Sequence, residues 1–568
     1  MFQKTTPFVN NAKARMKLCG MLCLLAPLCI GVRLFYMQTF LHDEFASKAE
    51  RAIYNYLAED RLRGQIYDVN GRFLAQSVRT HSCGVNKRYV KDKKKTIAFL
   101  SKTLGLDKKD IERKWNRKNN FFFVAKKIKP DVYMQMLPVL RTELGQGLVL
   151  TPEYERIHPY GDSAIDLLGA ANSKNLGLSG LEQMFNAELS QDISRRRAKR
   201  ARRGEVIYDR SLKEENEVGS IYLTIDELAQ YYAEKALDKA VKDYEPDHGL
   251  ILVQQPQTGR ILAAASYPRK DGQSLPFQFT YEPGSTFKSI SVASALDAGA
   301  VSINDAIDMS GRKWEVARGV VVQDKQHKKD ELTIPEIMAL SSNIGAGKIA
   351  LELGAKNLFY YIIAFGFGSK TDINFNGESK GYLPPYNKWT KVDTASKGYG
   401  YGIALTPLQL IGAYSAIANG GWLMQAHLID HIAYADGRVD KKAKVQRIRR
   451  VIKPETSDLM KKVLEHVVQE GSGKKARIKG YSVAGKTGTA EKLSKEGGYA
   501  KRRHVVSFCG FTPIEDPQFT ILVVLDNPAK YTFGGTASAP VFKEVAESLL
   551  AMYAVRPDRP EELTENKK

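Results

Sequence analysis

Residues 480–489 read GYSVAGKTGT. From Gly480 the stretch is G-x-x-x-x-G-K-T, the pattern of a phosphate-cradling P-loop. From Lys486 it is K-T-G-T, which suits a strand that binds a carboxylate. The two readings demand different folds. A P-loop needs an apolar strand before its first glycine and a helix directly after its Lys-Thr. Before Gly480 lies GSGKKARIK, which is basic and turn-like; after Thr487 come another glycine and strand-forming residues. The Tyr-Ser-Val-Ala between is strand-like and a poor glycine-rich cradle. Residues 521–526, ILVVLD, could pass for the apolar strand and metal-binding aspartate of a nucleotide hydrolase, but Asp526 reads as a strand-end residue. The stretch is therefore expected to be a strand.

Working outward, 568 residues suffice for two or three domains, and 43% hydrophobic with 10% aromatic content indicates a folded chain. A net charge of +22 favours anionic partners. Nucleic acid is not expected, because the chain has no zinc-finger spacing and no RNA-binding signature with interleaved aromatics. Residues 18–30, LCGMLCLLAPLCI, are uncharged, and the apolar stretch reaches Met37 if Arg33 snorkels. That is enough for one transmembrane helix over 18–37. Lys4, Lys13, Arg15 and Lys17 precede it, so residues 1–17 should be a cytoplasmic tail. A cleaved signal peptide is the weaker reading, since no small-x-small site follows the apolar core. Residues after about 40 are then expected outside the cytoplasm, on a chain held in the inner (cytoplasmic) membrane by a single pass. Cys19, Cys23 and Cys29 read as apolar filler; nothing supports a bond between Cys83 and Cys509, and neither has a partner at zinc spacing.

Residues 45–240 are basic and rich in short strand-like runs, with an extreme run, ISRRRAKRARRG, at 193–204. That run reads as a solvated face or as a contact for anionic headgroups or glycan. From about 246 the composition shifts. LILVQQPQTGRILAAAS (250–266) predicts two strands about a turn. TPLQLIGAYSAIANGG (406–421) predicts a helix that opens on Thr-Pro and stops at Gly-Gly. Strands return after 480, a helix over 539–553 closes a domain of 246–553, and 554–568 reads as a polar tail. Gly377-Glu378-Ser379-Lys380-Gly381 fits G-x-S-x-G, but it lacks the preceding strand and following helix that a nucleophile elbow needs.

The chemistry-bearing set begins in TYEPGSTFKSISVASALDAGA (280–300). A Pro-Gly turn becomes a helix; Ser285 falls in its first turn and Lys288 three residues on, so the two side chains share a face. Helix polarity favours a nucleophile there, and a neutral lysine, expected here in a wet cleft, can take the serine proton. Ser341 and Asn343 in LSSNIG form S-x-N, and Lys486, Thr487, Gly488 and Thr489 form K-T-G-T. Ser341 lies 56 residues after Ser285, and Lys486 lies 145 after Ser341.

With this order and spacing the chain resembles the penicillin-binding proteins, specifically the class B monofunctional transpeptidases. The likeness covers nearly the whole chain. RGQIYDVNGRFLA (63–75), RIHPYGDSAIDLLGAAN (156–172), GLSGLE (177–182), GYGYGIALTPLQL (398–410) and GGTASAPVFKEV (534–545) carry it further. Val69 and Asp166 depart from the family pattern, and the segment from Pro268 to Tyr281 is short. The resemblance implies an α+β fold: a transpeptidase domain with a five-stranded antiparallel sheet flanked by helices and a helical subdomain, on an elongated strand-rich pedestal of the dimerisation type, with one N-terminal transmembrane helix. It implies a peptidoglycan D,D-transpeptidase that cross-links stem peptides ending D-Ala-D-Ala, is inhibited by β-lactams, and needs no cofactor or metal. Tyr281-Glu282-Pro283-Gly284 looks most like the septal, cell-division member; an elongation-type enzyme is the alternative. Carried over, Ser285 is the nucleophile, Lys288 its base, and Ser341 the relay to the leaving D-alanine, held by Asn343 and Lys486. Thr487 and Thr489, about Gly488, grip the terminal carboxylate, and the N–H groups of Ser285 and Thr489 form the oxyanion hole. Implied partners are a polytopic membrane glycosyltransferase and other division proteins, with the catalytic domain periplasmic. A β-lactamase would need a deacylating carboxylate that no motif supplies, and about 17 residues before the apolar run are too few for a sensor's signalling domain.

Overall fold

The computed structural model describes residues 7–39, 41, 63–172, 175–190, 198–200, 206–208, 218–309, 311–324, 329–493 and 498–564. They fall into two units, 1–61 with 192–215, and 62–191 with 216–568. In the first, Pro7–Thr39 forms one helix, α1, with Pro27 inside it. It runs through the expected span at 18–37, yet no helix among the described residues is long and apolar enough to cross a membrane. Of the arginine-rich run at 193–204, only Ala198–Arg200, a short strand paired with Val206–Tyr208, is described. Residues 42–62, where the pedestal is expected to begin, lie outside the described residues.

The second unit opens with β1 (Ile66–Tyr67) and β2 (Phe73–Asn86). Helix α2 (Lys93–Leu104) starts where Asp92 accepts from the Lys95 N–H. Then come β3 (Phe121–Ile128) and β4 (Leu148–Ile157), both paired with β2. Cys83, Val85, Leu100, Phe122 and Leu148 close a small core between these strands and α2. After β5 (Gly219–Leu223), helix α3 (Glu227–Tyr244) leads into β6 (His248–Gln254) and β7 (Ile261–Tyr267), the two strands expected about Pro-Gln-Thr-Gly. The helical part includes α4 (Lys288–Asp297), α5 (Ile334–Leu340), α6 (Asn343–Leu353) and α7 (Pro407–Ala418). Thr406 and Gln409 form a capping box at the start of α7, as Thr-Pro foretells. Strand β8 (Ile429–Tyr434), helix α8 (Pro454–Gln469), strands β9 (Ala484–Leu493), β10 (Tyr499–Thr512) and β11 (Phe519–Asp526), and helix α9 (Gly534–Met552) complete the unit.

The catalytic sheet has five antiparallel strands in the order β9-β10-β11-β6-β7. All eight residues of β11 are buried because helices cover both faces. Strand side chains alternate, so Ile521, Val523 and Leu525 pack with α3 and α9 while Leu522 and Val524 face α4 and α7. Lys486 sits opposite Cys509 and Thr489 opposite Val506 in a regular ladder, so 484–493 is a strand and the P-loop reading fails. Asp526 ends β11 and takes both its 2.8 Å contacts from Lys492. The GESKG match is coil and turn. Cys83 and Cys509 are buried and free, and burial pushes both thiols up, Cys83 to about 12.

Three features differ from expectation. Helix α9 opens at Gly534, five residues before 539, and tolerates Pro540; packing against α3, β10 and β11 outweighs the breakers. The C-terminal segment is no free tail as far as 564. Asp558 accepts from the N–H and hydroxyl of Ser482, Arg559 N donates to Gly480 O at 3.1 Å, and Tyr481 Oη donates to Val555 O at 2.7 Å. The pedestal sheet is not built from the pedestal alone. Its order is Val439–Asp440, β8, β5, β1, β2, β3, so two strands from the catalytic half complete it.

The motifs at 63–75 and 177–182 meet in one buried network. Arg63 and Arg156 both contact the fully buried Glu182 carboxylate, and Arg63 also donates to Asn175 O at 3.0 Å and Asn186 Oδ1 at 2.9 Å. Asp166, one of the two departures, is buried and accepts from Ser266 Oγ at 2.6 Å. Burial lifts its carboxyl to about 7.

Candidate active site

Ser285 lies in a 3-10 turn, Gly284–Phe287, that runs straight into α4, whose first residue is Lys288. Three contacts hold this turn. Gly284 N donates to Gly400 O at 3.1 Å, and a Cβ on Gly400 (φ 87°) would stand 2.2 Å from Gly284 O, so only glycine admits the approach. Glu282 accepts from Gly402 N at 2.8 Å. Beneath, the buried Tyr414 hydroxyl donates to Thr286 O at 2.8 Å and shares a 2.9 Å bond with Ser289 Oγ. Ser285 is half-buried, and its hydroxyl has no hydrogen-bond partner among the described residues.

Lys288 is fully buried, not set in a wet cleft. Its Nζ donates to Ser341 O at 2.6 Å and Asn343 Oδ1 at 2.7 Å, and lies 3.3 Å from Ser341 Oγ. From the other side Lys486 Nζ donates to Ser341 Oγ at 2.9 Å and to Thr487 O and Oγ1 at 3.3 Å. One hydroxyl thus separates two buried amines. Burial pulls Lys288 down to about 7, opposed by the Asp324 carboxylate. Burial and the Lys288 charge push Lys486 well below the usual lysine range. Two ammonium groups this close in a buried site repel, which disfavours charging both at once.

Ser341 reaches this place with φ 58°, in the left-handed region that a branchless turn between α5 and α6 requires. A non-glycine residue there stores strain that its contacts must offset. Asp324 secures the far side: it accepts from Ser342 Oγ and, at 2.7 Å, from Asn343 N, at the start of α6. Nothing in VVVQD marks this aspartate in the sequence.

Thr487 and Thr489 are two apart on β9, the outer strand, and so share a face, with Gly488 between them paired to Ser507. Thr489 Oγ1 accepts from Gly534 N at 3.3 Å. Thr487 Oγ1 lies 2.7 Å from the Ser472 hydroxyl, a residue the sequence motifs do not single out. The structure therefore brings the eight motif residues into one cluster, with Asp324 and Ser472 beside them. A serine hydroxyl at a helix start, a buried amine brought down to about 7, a second hydroxyl wired to a second amine, and strand hydroxyls beside them suit acyl transfer through serine.

Comparison with known proteins agrees. Residues 249–547 match the penicillin-binding protein transpeptidase domain, and residues 59–223 the penicillin-binding protein dimerisation domain. The chain is 30% identical to Stage V sporulation protein D of Bacillus subtilis, over 97% of this chain and 88% of that one. It is 28% identical to the peptidoglycan D,D-transpeptidase FtsI of Escherichia coli, over 95% and 92%. A peptidoglycan synthetase structure from Bifidobacterium adolescentis superposes with TM-score 0.69 at 25% identity, covering 88% of this chain and 97% of that one. Two domain matches spanning the motifs, in the order that the Ser285, Ser341 and Lys486 cluster requires, establish that this chain belongs to the class B penicillin-binding protein transpeptidases.

Proposed function

We infer that the protein is a peptidoglycan D,D-transpeptidase in which Ser285 attacks the penultimate D-alanine carbonyl of a stem peptide. The observation that carries this reading is the pair of buried amines bridged by Ser341 Oγ next to the Ser285 turn. Lys288 in its neutral form takes the Ser285 proton as the acyl bond forms. Ser341, held between Lys288 and Lys486 and flanked by Asn343, passes a proton to the leaving D-alanine nitrogen. Thr487 and Thr489 hold the terminal carboxylate, and the N–H groups of Ser285 and Thr489 stabilise the oxyanion. An incoming amine then attacks the acyl-serine, releasing Ser285 and forming the cross-link. A penicillin follows the first half of this path and stays attached. Mass spectrometry after incubation with benzylpenicillin is expected to find one adduct, on the peptide bearing Ser285, and none in Ser285→Ala. An adduct that survives that substitution overturns the assignment.

The role is read as septal. It rests on the relatives named FtsI and on Tyr281-Glu282-Pro283-Gly284 before the nucleophile. The uncharged run at 18–30, behind Lys4, Lys13, Arg15 and Lys17, supports a single-pass anchor in the inner membrane with a cytoplasmic N-terminus and a periplasmic catalytic domain. The matched domains account for cross-linking and not for glycan polymerisation. The partner is accordingly read as a polytopic glycosyltransferase of the division machinery.

A further inference from the structure

We infer that Ser472 belongs to the carboxylate-binding end of this site, as a positioning residue that aims the Thr487 hydroxyl at the substrate's terminal carboxylate. The inference rests on the D,D-transpeptidase reading above. Its ground is a hydrogen-bond count at Thr487 Oγ1. A hydroxyl has one hydrogen and two acceptor positions. Lys486 Nζ donates to this oxygen at 3.3 Å, and Ser472 Oγ stands 2.7 Å away. With Ser472 as donor, both acceptor positions are filled and the Thr487 hydrogen is left for a third partner. With the roles reversed, the free hydrogen belongs to Ser472. Either way the pair presents one O–H, and an anion at the rim of β9 selects the arrangement that points it outward. Without Ser472, the Thr487 hydrogen is free to turn away.

Ser472 is placed for this by several segments at once. It follows α8, and its N–H donates at 3.1 Å to Ala339 O, two residues before Ser341. Its carbonyl lies against the start of α9, where a Cβ on Gly535 would come within 2.3 Å of it. The Ser341 turn, the K-T-G-T strand and the start of α9 thus share this residue as a common support. Thr487 is only 6% exposed, whereas Ser472 is open to solvent. The serine is therefore the solvent-facing member of the pair.

The test compares benzylpenicillin with its methyl ester, in which the carboxylate is masked, as acylating agents of Ser285 in the full chain. Both are measured on the same preparation, so the acid-over-ester preference is independent of the fraction folded. The wild type is expected to prefer the acid. In Ser472→Ala that preference is expected to fall about tenfold, the scale of one hydrogen bond to a charged group, with the loss in apparent affinity and not in the limiting rate. Ser472→Thr, which keeps the hydroxyl, is expected to restore it. A preference unchanged in Ser472→Ala, or acid and ester slowed alike, overturns the role of Ser472 while leaving the transpeptidase reading intact. A wild type that is not acylated, or that does not distinguish acid from ester, overturns the carboxylate reading itself and this inference with it.

Discussion

Lys288 is where a single atom decides the activity. Only its neutral amine can accept the Ser285 proton, and burial brings the lysine to about 7. Below that pH the group is charged and the base is lost, so acylation by penicillin should rise about tenfold per unit as pH climbs toward 7 and level off above it. Asp324 opposes the fall in the lysine's pKa. Asp324→Asn removes that charge, keeps an oxygen for the Asn343 N–H, and should move the ascending limb to lower pH. Lys288→Ala should slow acylation by roughly 10² to 10⁴. Stopped-flow acylation across pH 5 to 9 checks all three, and a flat profile in the wild type would assign the base elsewhere. The paired motif residues were legible in the sequence because their types and spacing are chemically restrictive. Asp324 and Ser472 were not, since each acts through neighbours that only the fold brings to it.

At the scale of elements, legibility tracked how strongly local chemistry dictates conformation. The β6–β7 hairpin, the capped start of α7 and the buried run of β11 all declare themselves through period, cap and turn. The C-terminal segment does not: its composition is polar, and it is held by a few bonds such as Asp558 to Ser482. Strand β8 carries no local signal of its own, because its partner, β5, lies some two hundred residues earlier in the chain. The strand-and-helix corner of the pedestal carries its own prediction. Arg63 and Arg156 are both buried against Glu182. Glu182→Gln leaves two guanidinium groups without their counter-charge and should destabilise the unit by about 3 kcal/mol or more. Denaturant midpoints measure it; a change under 1 kcal/mol would mean that water or the neighbouring Asn186 compensates.

For the whole molecule, a septal role predicts that depletion blocks division while lateral growth continues, giving long unseptated cells. Cells that lose shape and still divide would place the enzyme in elongation instead. The proposed topology predicts that a cysteine at position 10 resists a membrane-impermeant thiol reagent in intact spheroplasts, whereas one at an exposed pedestal position such as Tyr89 reacts. Labelling at position 10 from outside would refute it. The two strands that the catalytic half lends to the pedestal sheet constrain how such chains can be recombined. A chimera joined near residue 246 would graft one parent's β8 beside another parent's β5. The hydrogen-bond register and the Tyr222–His431 ring stack, 4.3 Å between centroids, would then have to match across a seam that selection never tested. Exchange between relatives is therefore expected to yield a folded chain only where residues 429–440 travel with the pedestal, which thermal unfolding of paired chimeras with and without that segment would check.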